Sequence, residues 1–225
     1  MRFLTLMTAS LLAAPAAFAC DGVYDTGDLL DDLTQVEDAL RADDAATAAQ
    51  YASKMEGNIA CLGEPIPYMI VGRIYRGIAV GKLMSGDDAR GREWFLTALE
   101  VDPTFEYGTE DLSMDSPVRQ TYLDLRAEAD APPVDVPDAS FTEGKFYIDG
   151  GLTGSPRATL GRPHLVQREQ DEALSGWVIE GNSFPSELLG AAVAEVEPDE
   201  DPADARRRSR EAERAARDAQ RARAG

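Results

Sequence analysis

Apolar residues recur at helical spacing through the first half of the chain. Leu29, Leu30, Leu33, Val36 and Leu40 form one stripe, and Ala45, Ala48, Ala49, Ala52, Met55 and Ile59 a second, with the polar run 41–44 between them. Met69, Ile70, Ile74, Ile78 and Leu83 make a third stripe and Phe95, Leu96 and Leu99 a fourth, separated by Ser85, Gly86, Asp87 and Asp88. Each pair predicts an antiparallel helical hairpin, and Gly63, Pro65 and Pro67 break the chain between the two. After the non-periodic stretch 104–115, Ser116 can cap and Pro117 can open a fifth helix, with Val118, Tyr122 and Leu125 on one face.

Beyond residue 130 the period changes. Pro132, Pro133 and Pro137 mark 131–138 as an extended linker. Three short strands follow, at 145–150, 163–167 and 176–181, enough for a small antiparallel sheet that is marginal unless it packs on something. The fold class expected is α+β, with a helical region at 20–130, a linker at 131–138, a β module at 139–190 and a charged tail at 191–225.

The first nineteen residues change the compartment. Arg2, an apolar run from Phe3 to Phe18 and the small residues up to Ala19 read as a secretory signal peptide, too short to span a bilayer, and no other stretch could cross one. Cleavage after Ala19 makes Cys20 the first mature residue. Cys20 and Cys61 can then pair in an oxidising compartment, or Cys20 can be acylated as a lipoprotein anchor; the two readings exclude each other because each consumes the same thiol. The protein is thus expected in the periplasm or outer envelope, free or anchored through Cys20.

Charge narrows the partners. The whole chain carries a formal charge of −19, and without Arg2 there remain 21 basic against 41 acidic residues. Eight arginines (Arg206, Arg207, Arg208, Arg210, Arg214, Arg217, Arg221 and Arg223) fall in the segment 206–225, so the body is more acidic than the total suggests. Such a body repels phosphate backbones, and nucleic acid is not an expected partner. The Arg-rich tail could touch an anionic polymer or lipid, although charge runs more often only keep a chain in solution.

The hairpin from Tyr68 to Pro103 resembles a tetratricopeptide repeat. Tyr75, Ile78 and Ala79 carry the likeness in its first helix, Gly86 in the turn, Gly91, Phe95 and Ala98 in the second helix, and Pro103 after it. Lys82 departs from that pattern, standing where the family has an aromatic, and marks a possible partner edge. The β part resembles half of a PEGA module through Asp149, Gly150, Gly154, Pro156, Gly161 and His164. Together these resemblances imply a scaffold or adaptor of the bacterial cell envelope that binds a protein or peptide through its helices; the alternative is a module binding cell-wall or surface polysaccharide through the β part.

Catalytic chemistry finds little footing. Asp25-Thr26-Gly27 matches the aspartic-protease tripeptide, but that chemistry needs two carboxylates sharing a proton and the tripeptide occurs once. Its place before a helical stripe suits capping, with Asp28, Asp31 and Asp32 near the positive end of the helix. His164 with Asp149 or Glu180 suggests acid–base work, yet no nucleophile joins them. One histidine and two cysteines offer no zinc site, the glycines after Ile148 lack the Gly-Lys-Ser/Thr of a phosphate loop, and neither enzyme nor cofactor is expected.

Overall fold

Three of the described helices begin at a capping aspartate. In the computed structural model, which describes Cys20, residues 24–127, Ala129 and residues 132–191, helix α1 (Thr26–Arg41) begins with a reciprocal pair. Asp25 Oδ1 accepts from the Asp28 amide at 2.8 Å and Asp28 Oδ2 accepts from the Asp25 amide at 3.3 Å, satisfying two otherwise unpaired donors. Asp44 caps α2 (Ala45–Asn58) singly, accepting from the Thr47 amide at 3.1 Å. A short 3-10 turn, Ile59–Cys61, leads to α3 (Tyr68–Met84), and Gly86 turns the chain at φ 85° into α4 (Asp88–Val101). The fifth helix, α5 (Pro117–Arg126), starts as expected at Ser116, but the serine side chain makes no capping bond there; Pro117 in the first turn sets the start instead. The leader at 1–19 and the tail beyond Ala191 lie outside the described residues.

The four long helices pack closely because small residues lie at their crossings. A Cβ on Gly81 would collide with the Ala48 carbonyl and the Ala52 methyl, and one on Gly91 would lie 2.6 Å from Leu83 Cγ. Tyr75, Ile78, Ala79, Phe95 and Ala98 are fully buried around these contacts, and Gly91 is buried too. Pro103 is exposed, so it ends α4 without packing.

Eight short strands follow among the described residues: β1 (Val134–Asp135), β2 (Ala139–Phe141), β3 (Lys145–Ile148), β4 (Gly151–Thr153), β5 (Arg157–Ala158), β6 (Pro163–Gln170), β7 (Ala173–Glu180) and β8 (Leu189–Ala191). Strands β4-β3-β6-β7 form one antiparallel sheet in that order, while β1 pairs with β5 and β2 with β8. The chain is therefore α+β. Within the stretch 131–138, whose prolines suggest a linker, Val134 and Asp135 hydrogen-bond as a strand to Ala158 and Arg157.

Alternation along β6 covers both faces of the sheet. Leu165 enters the helical core beside Ile66, Ile74 and Tyr75, with Val178 opposite it on β7 packed there too. Val166 points the other way, into a second core with Phe146, Ala158, Ile179, Phe184 and Leu188. Polar contacts tie the sheet to the helices. Gln167 accepts from the Ile66 amide at 3.0 Å, Thr97 donates to the Pro163 carbonyl at 2.8 Å, and Arg162 pairs with Glu100 at 3.1 Å. The described residues through Gly190 belong to one compact unit.

Gly176 marks the tightest approach between the layers, since a Cβ there would strike the Ala60 carbonyl. Backbone cannot swing aside as a side chain can. Gly176→Val is expected to lower the unfolding free energy by about 3 kcal/mol in urea denaturation; a loss under about 0.5 kcal/mol would show that the sheet does not press on the Ile59–Cys61 turn.

Candidate binding cleft

The segment after α4 folds back against α1 and α3 and lines a cleft with them. Phe105 and Tyr107 hold it there, packed edge-on against each other and against Tyr122 of α5, with Phe95 of α4 edge-on to Tyr107 and Tyr122. Arg119 fixes the rest, donating to the carbonyls of Tyr107 and Leu112, each at 2.8 Å. Between segment and helices lies a cleft of about 240 Å³, whose apolar wall is Val36, Leu40, Val80 and Phe105. A second cavity of about 660 Å³ adjoins it, sharing Leu40, Arg41 and Asp111 and adding Leu83, Met84 and Val118. The two make one groove.

Three arginines line the cleft in this acidic protein. Arg73 donates from Nε and Nη2 to Glu37 at 2.7 and 2.6 Å, a bidentate pair that raises the guanidinium's already high pKa. Arg41 pairs with Asp38 at 2.6 Å and reaches Asp111 at 4.0 Å. Arg76 is only 7% exposed, stacks 3.5 Å from the Phe105 ring centre and gives a single hydrogen bond, from Nη1 to Asp102 at 3.0 Å. A guanidinium has five N–H donors. Most of those on Arg76 therefore have no partner among the described residues. The Tyr107 hydroxyl, whose residue lines the same cleft, is buried and without a hydrogen-bond partner among the described residues, and burial pushes its pKa up, with Arg76 acting the other way. What the cleft offers is hydrogen-bond donors over an apolar wall.

Lys82 does not mark a free edge. Its side chain is 16% exposed and its Nζ lies 2.6 Å from Glu56 of α2, so the charge is answered within the helical stack. Glu56 also accepts from Arg90 at 2.8 Å and from the Trp94 indole at 2.9 Å. Burial alone would raise the Glu56 carboxyl, but Lys82, Trp94 and Arg90 hold it below the usual range. Lys82 is thus held by an ion pair between α3 and α2.

Cys20 and Cys61 are joined by a disulfide, with the Cα atoms 5.5 Å apart. Of the two exclusive readings of Cys20, the structure adopts this one, which leaves no thiol for an acyl chain. No helix among the described residues is long and apolar enough to cross a membrane.

Asp25 caps α1, as its position suggests, and Asp32 is buried, accepting from Tyr24 at 2.6 Å and from Lys54 at 2.8 Å. Glu180 pairs with Arg90 and takes no part near His164. Asp149 does meet His164, Nδ1 to Oδ2 at 2.7 Å, while Asp149 Oδ1 accepts from Tyr75 at 2.6 Å and from the Leu165 amide at 3.0 Å. His164 Nε2 faces the Thr159 carbonyl at 3.1 Å. Both ring nitrogens thus face acceptors, which only the imidazolium satisfies. The ring is 1% exposed with no nitrogen left over, an arrangement that binds β6 and the turn before β4 to Tyr75 of α3.

A pH dependence follows. Burial lowers the His164 pKa, but the Asp149 bond and charge, the charge of Glu100 and the Thr159 carbonyl outweigh it and raise it above 6.5. A raised folded value means the stabilisation is complete below the unfolded pKa of about 6.5 and is lost as pH rises through the folded value. Urea denaturation across pH 6 to 9 is expected to show wild type losing its advantage over His164→Gln as pH increases. An advantage that grows with pH would contradict the imidazolium.

Against protein-family models, curated proteins and solved structures, the chain finds no match. The cleft arginines carry a faint signal in the sequence: Arg73 and Arg76 sit three apart on one helix of a very acidic chain, and Phe105 and Tyr107 alternate in a segment with no helical period. Neither pattern states that the two will meet.

Proposed function

We propose that this chain is a secreted, non-enzymatic scaffold or adaptor of the bacterial cell envelope, holding a peptide or protein segment in the groove of its helical part. The observation that carries the reading is the groove itself: two adjoining cavities on α1 and α3, apolar in the wall and bordered by ionic groups of both signs, Arg73, Arg76 and Glu37 in the smaller, Asp43, Glu110 and Asp115 in the larger, and Arg41 and Asp111 in both. An extended segment gains from such a surface by laying apolar side chains on the wall and polar groups on the rim. The disulfide fits an oxidising compartment, as does the leader read from the sequence.

A photo-crosslinking residue at Leu40, in the full-length protein expressed in cells, tests this. The expected result is one adduct of defined mass whose digest maps a contiguous partner segment, lost when Arg73 and Val80 are replaced. A crosslinker at the exposed Leu152 on β4 is the control. Adducts at Leu152 alone, or retention of the protein on cell-wall polymer unaffected by groove substitutions, would move the function to the β part.

A further inference from the structure

We propose that the arginine end of the groove is a receptor for a single carboxylate carried on a short apolar body, either a free monocarboxylic acid or the chain end of the bound segment. This rests on the adaptor reading only for the second of those sources.

The argument starts from Arg76. A guanidinium almost withdrawn from water, flattened on Phe105 and tied to one carboxylate oxygen is held in place before any ligand arrives. Its unused N–H groups have no acceptor among the described residues, and Arg73 beside it uses two nitrogens on Glu37 and keeps the rest. Arg76 keeps Nε and Nη2, the fork that matches the two oxygens of a carboxylate, and Arg73 keeps Nη1 to add to it. Val36, Leu40, Val80 and Phe105 then give an aliphatic or aromatic body a surface to lie on, in a volume of about 240 Å³, too small for more than one residue-sized group.

The sign and size of the charge are also constrained. Glu37 and Asp111 line the same cleft, and Asp38 and Asp102 pair with its arginines from behind. A phosphate dianion would meet these carboxylates with twice the repulsion of a monoanion, and a cationic head would find every acidic group there already facing an arginine. A monocarboxylate can use the spare donors with the least conflict.

N-acetyl-leucine and N-acetyl-leucine amide, titrated into the full-length protein by calorimetry and by amide chemical shifts, make the test. The acid is expected to bind, moving the Phe105 and Tyr107 amides, and the amide to bind at least about tenfold more weakly. Arg73→Gln and Arg76→Lys should each weaken the acid by about tenfold, the lysine because it keeps the charge and loses the planar fork. Leu40→Trp, which fills the wall without touching an arginine, should abolish binding while the melting temperature stays near wild type; it keeps the proposal testable if Arg76→Lys does not fold. Equal affinity for acid and amide, or no shift from either at 10 mM (about a hundredfold above a modest expected Kd), overturns it. A peptide ending in Leu competing with the acid assigns the site to the adaptor's segment. If the acid binds and no peptide competes, the carboxylate site stands and the adaptor reading fails; if peptides bind without distinguishing acid from amide, the reverse holds.

Discussion

Replacing Asp149 with alanine is expected to lower the unfolding free energy by about 3–5 kcal/mol, the cost of removing one partner from a buried ionic contact. Three donors converge on that carboxylate: the Tyr75 hydroxyl, the Leu165 amide and the His164 ring. All three are buried; the hydroxyl and the ring lose this acceptor outright, and the Leu165 amide keeps only the Tyr75 hydroxyl at 3.3 Å. Asparagine gives the more informative comparison. Its oxygen can still accept from Tyr75 and Leu165, but its NH₂ group would face His164 Nδ1, which must then give up its proton. Asp149→Asn should therefore cost less than alanine and should erase the pH dependence assigned to His164. Urea denaturation of both variants, with the histidine ring followed by NMR, measures each part. An alanine variant within about 1 kcal/mol of wild type would show that the network is not what joins the layers.

The second large effect concerns the chain's beginning. Cys20 and Cys61 stand 41 residues apart, and closing a loop of that length restrains the unfolded chain by about 4 kcal/mol on an entropic model, within the 2–5 kcal/mol typical of native bridges. The disulfide also secures local structure: Tyr24 forms a parallel bridge with Leu62, and the Gly63 amide donates to the Tyr24 carbonyl at 3.2 Å. The double variant Cys20→Ser, Cys61→Ser is expected to lose about 2–4 kcal/mol, and a reductant should bring wild type to the same stability. Intact mass of protein purified from membranes supplies the opposing result: a lipid-sized increment with a free Cys61 thiol would mean that Cys20 serves as an anchor in the cell.

The five α-helices among the described residues were readable because each carries its own evidence, a 3.6-residue stripe with an aspartate or a proline at its start. Asp25, Asp44 and Asp87 each cap the helix that the stripe predicts. Strands β3, β6 and β7 were readable in the same way, though β6 and β7 run longer than their apolar residues suggest, since Arg168, Glu169 and Gln170 continue the ladder with polar side chains. Strands of two or three residues, such as β1 and β5, are too short to express an alternation. The segment holding Phe105 and Tyr107 has no period because its order comes from Arg119 and the surrounding rings.

Contacts between layers were the least legible. Tyr75 reads as a packing aromatic, and its ring does pack, 4.9 Å from Trp94 between ring centres. Its hydroxyl, however, finds a carboxylate 74 residues away, and nothing local to either residue announces the pairing. Arg76 poses the same problem for the cleft: its place between the apolar positions Ile74 and Ile78 does not announce the Phe105 ring that packs 3.5 Å from its guanidinium.

The sheet's insertion between two cores also has a bearing on time. A chain is synthesised from its N-terminus, so α1 to α4 emerge well before β6, and the Ile66 amide waits 101 residues for Gln167. Until then the side of α3 that will receive Leu165 stays open, with Ile66, Ile74 and Tyr75 uncovered. Contacts so distant along the chain slow folding. During synthesis the helical half therefore keeps an apolar face exposed until the last hairpin arrives, and that interval is when it is open to aggregation.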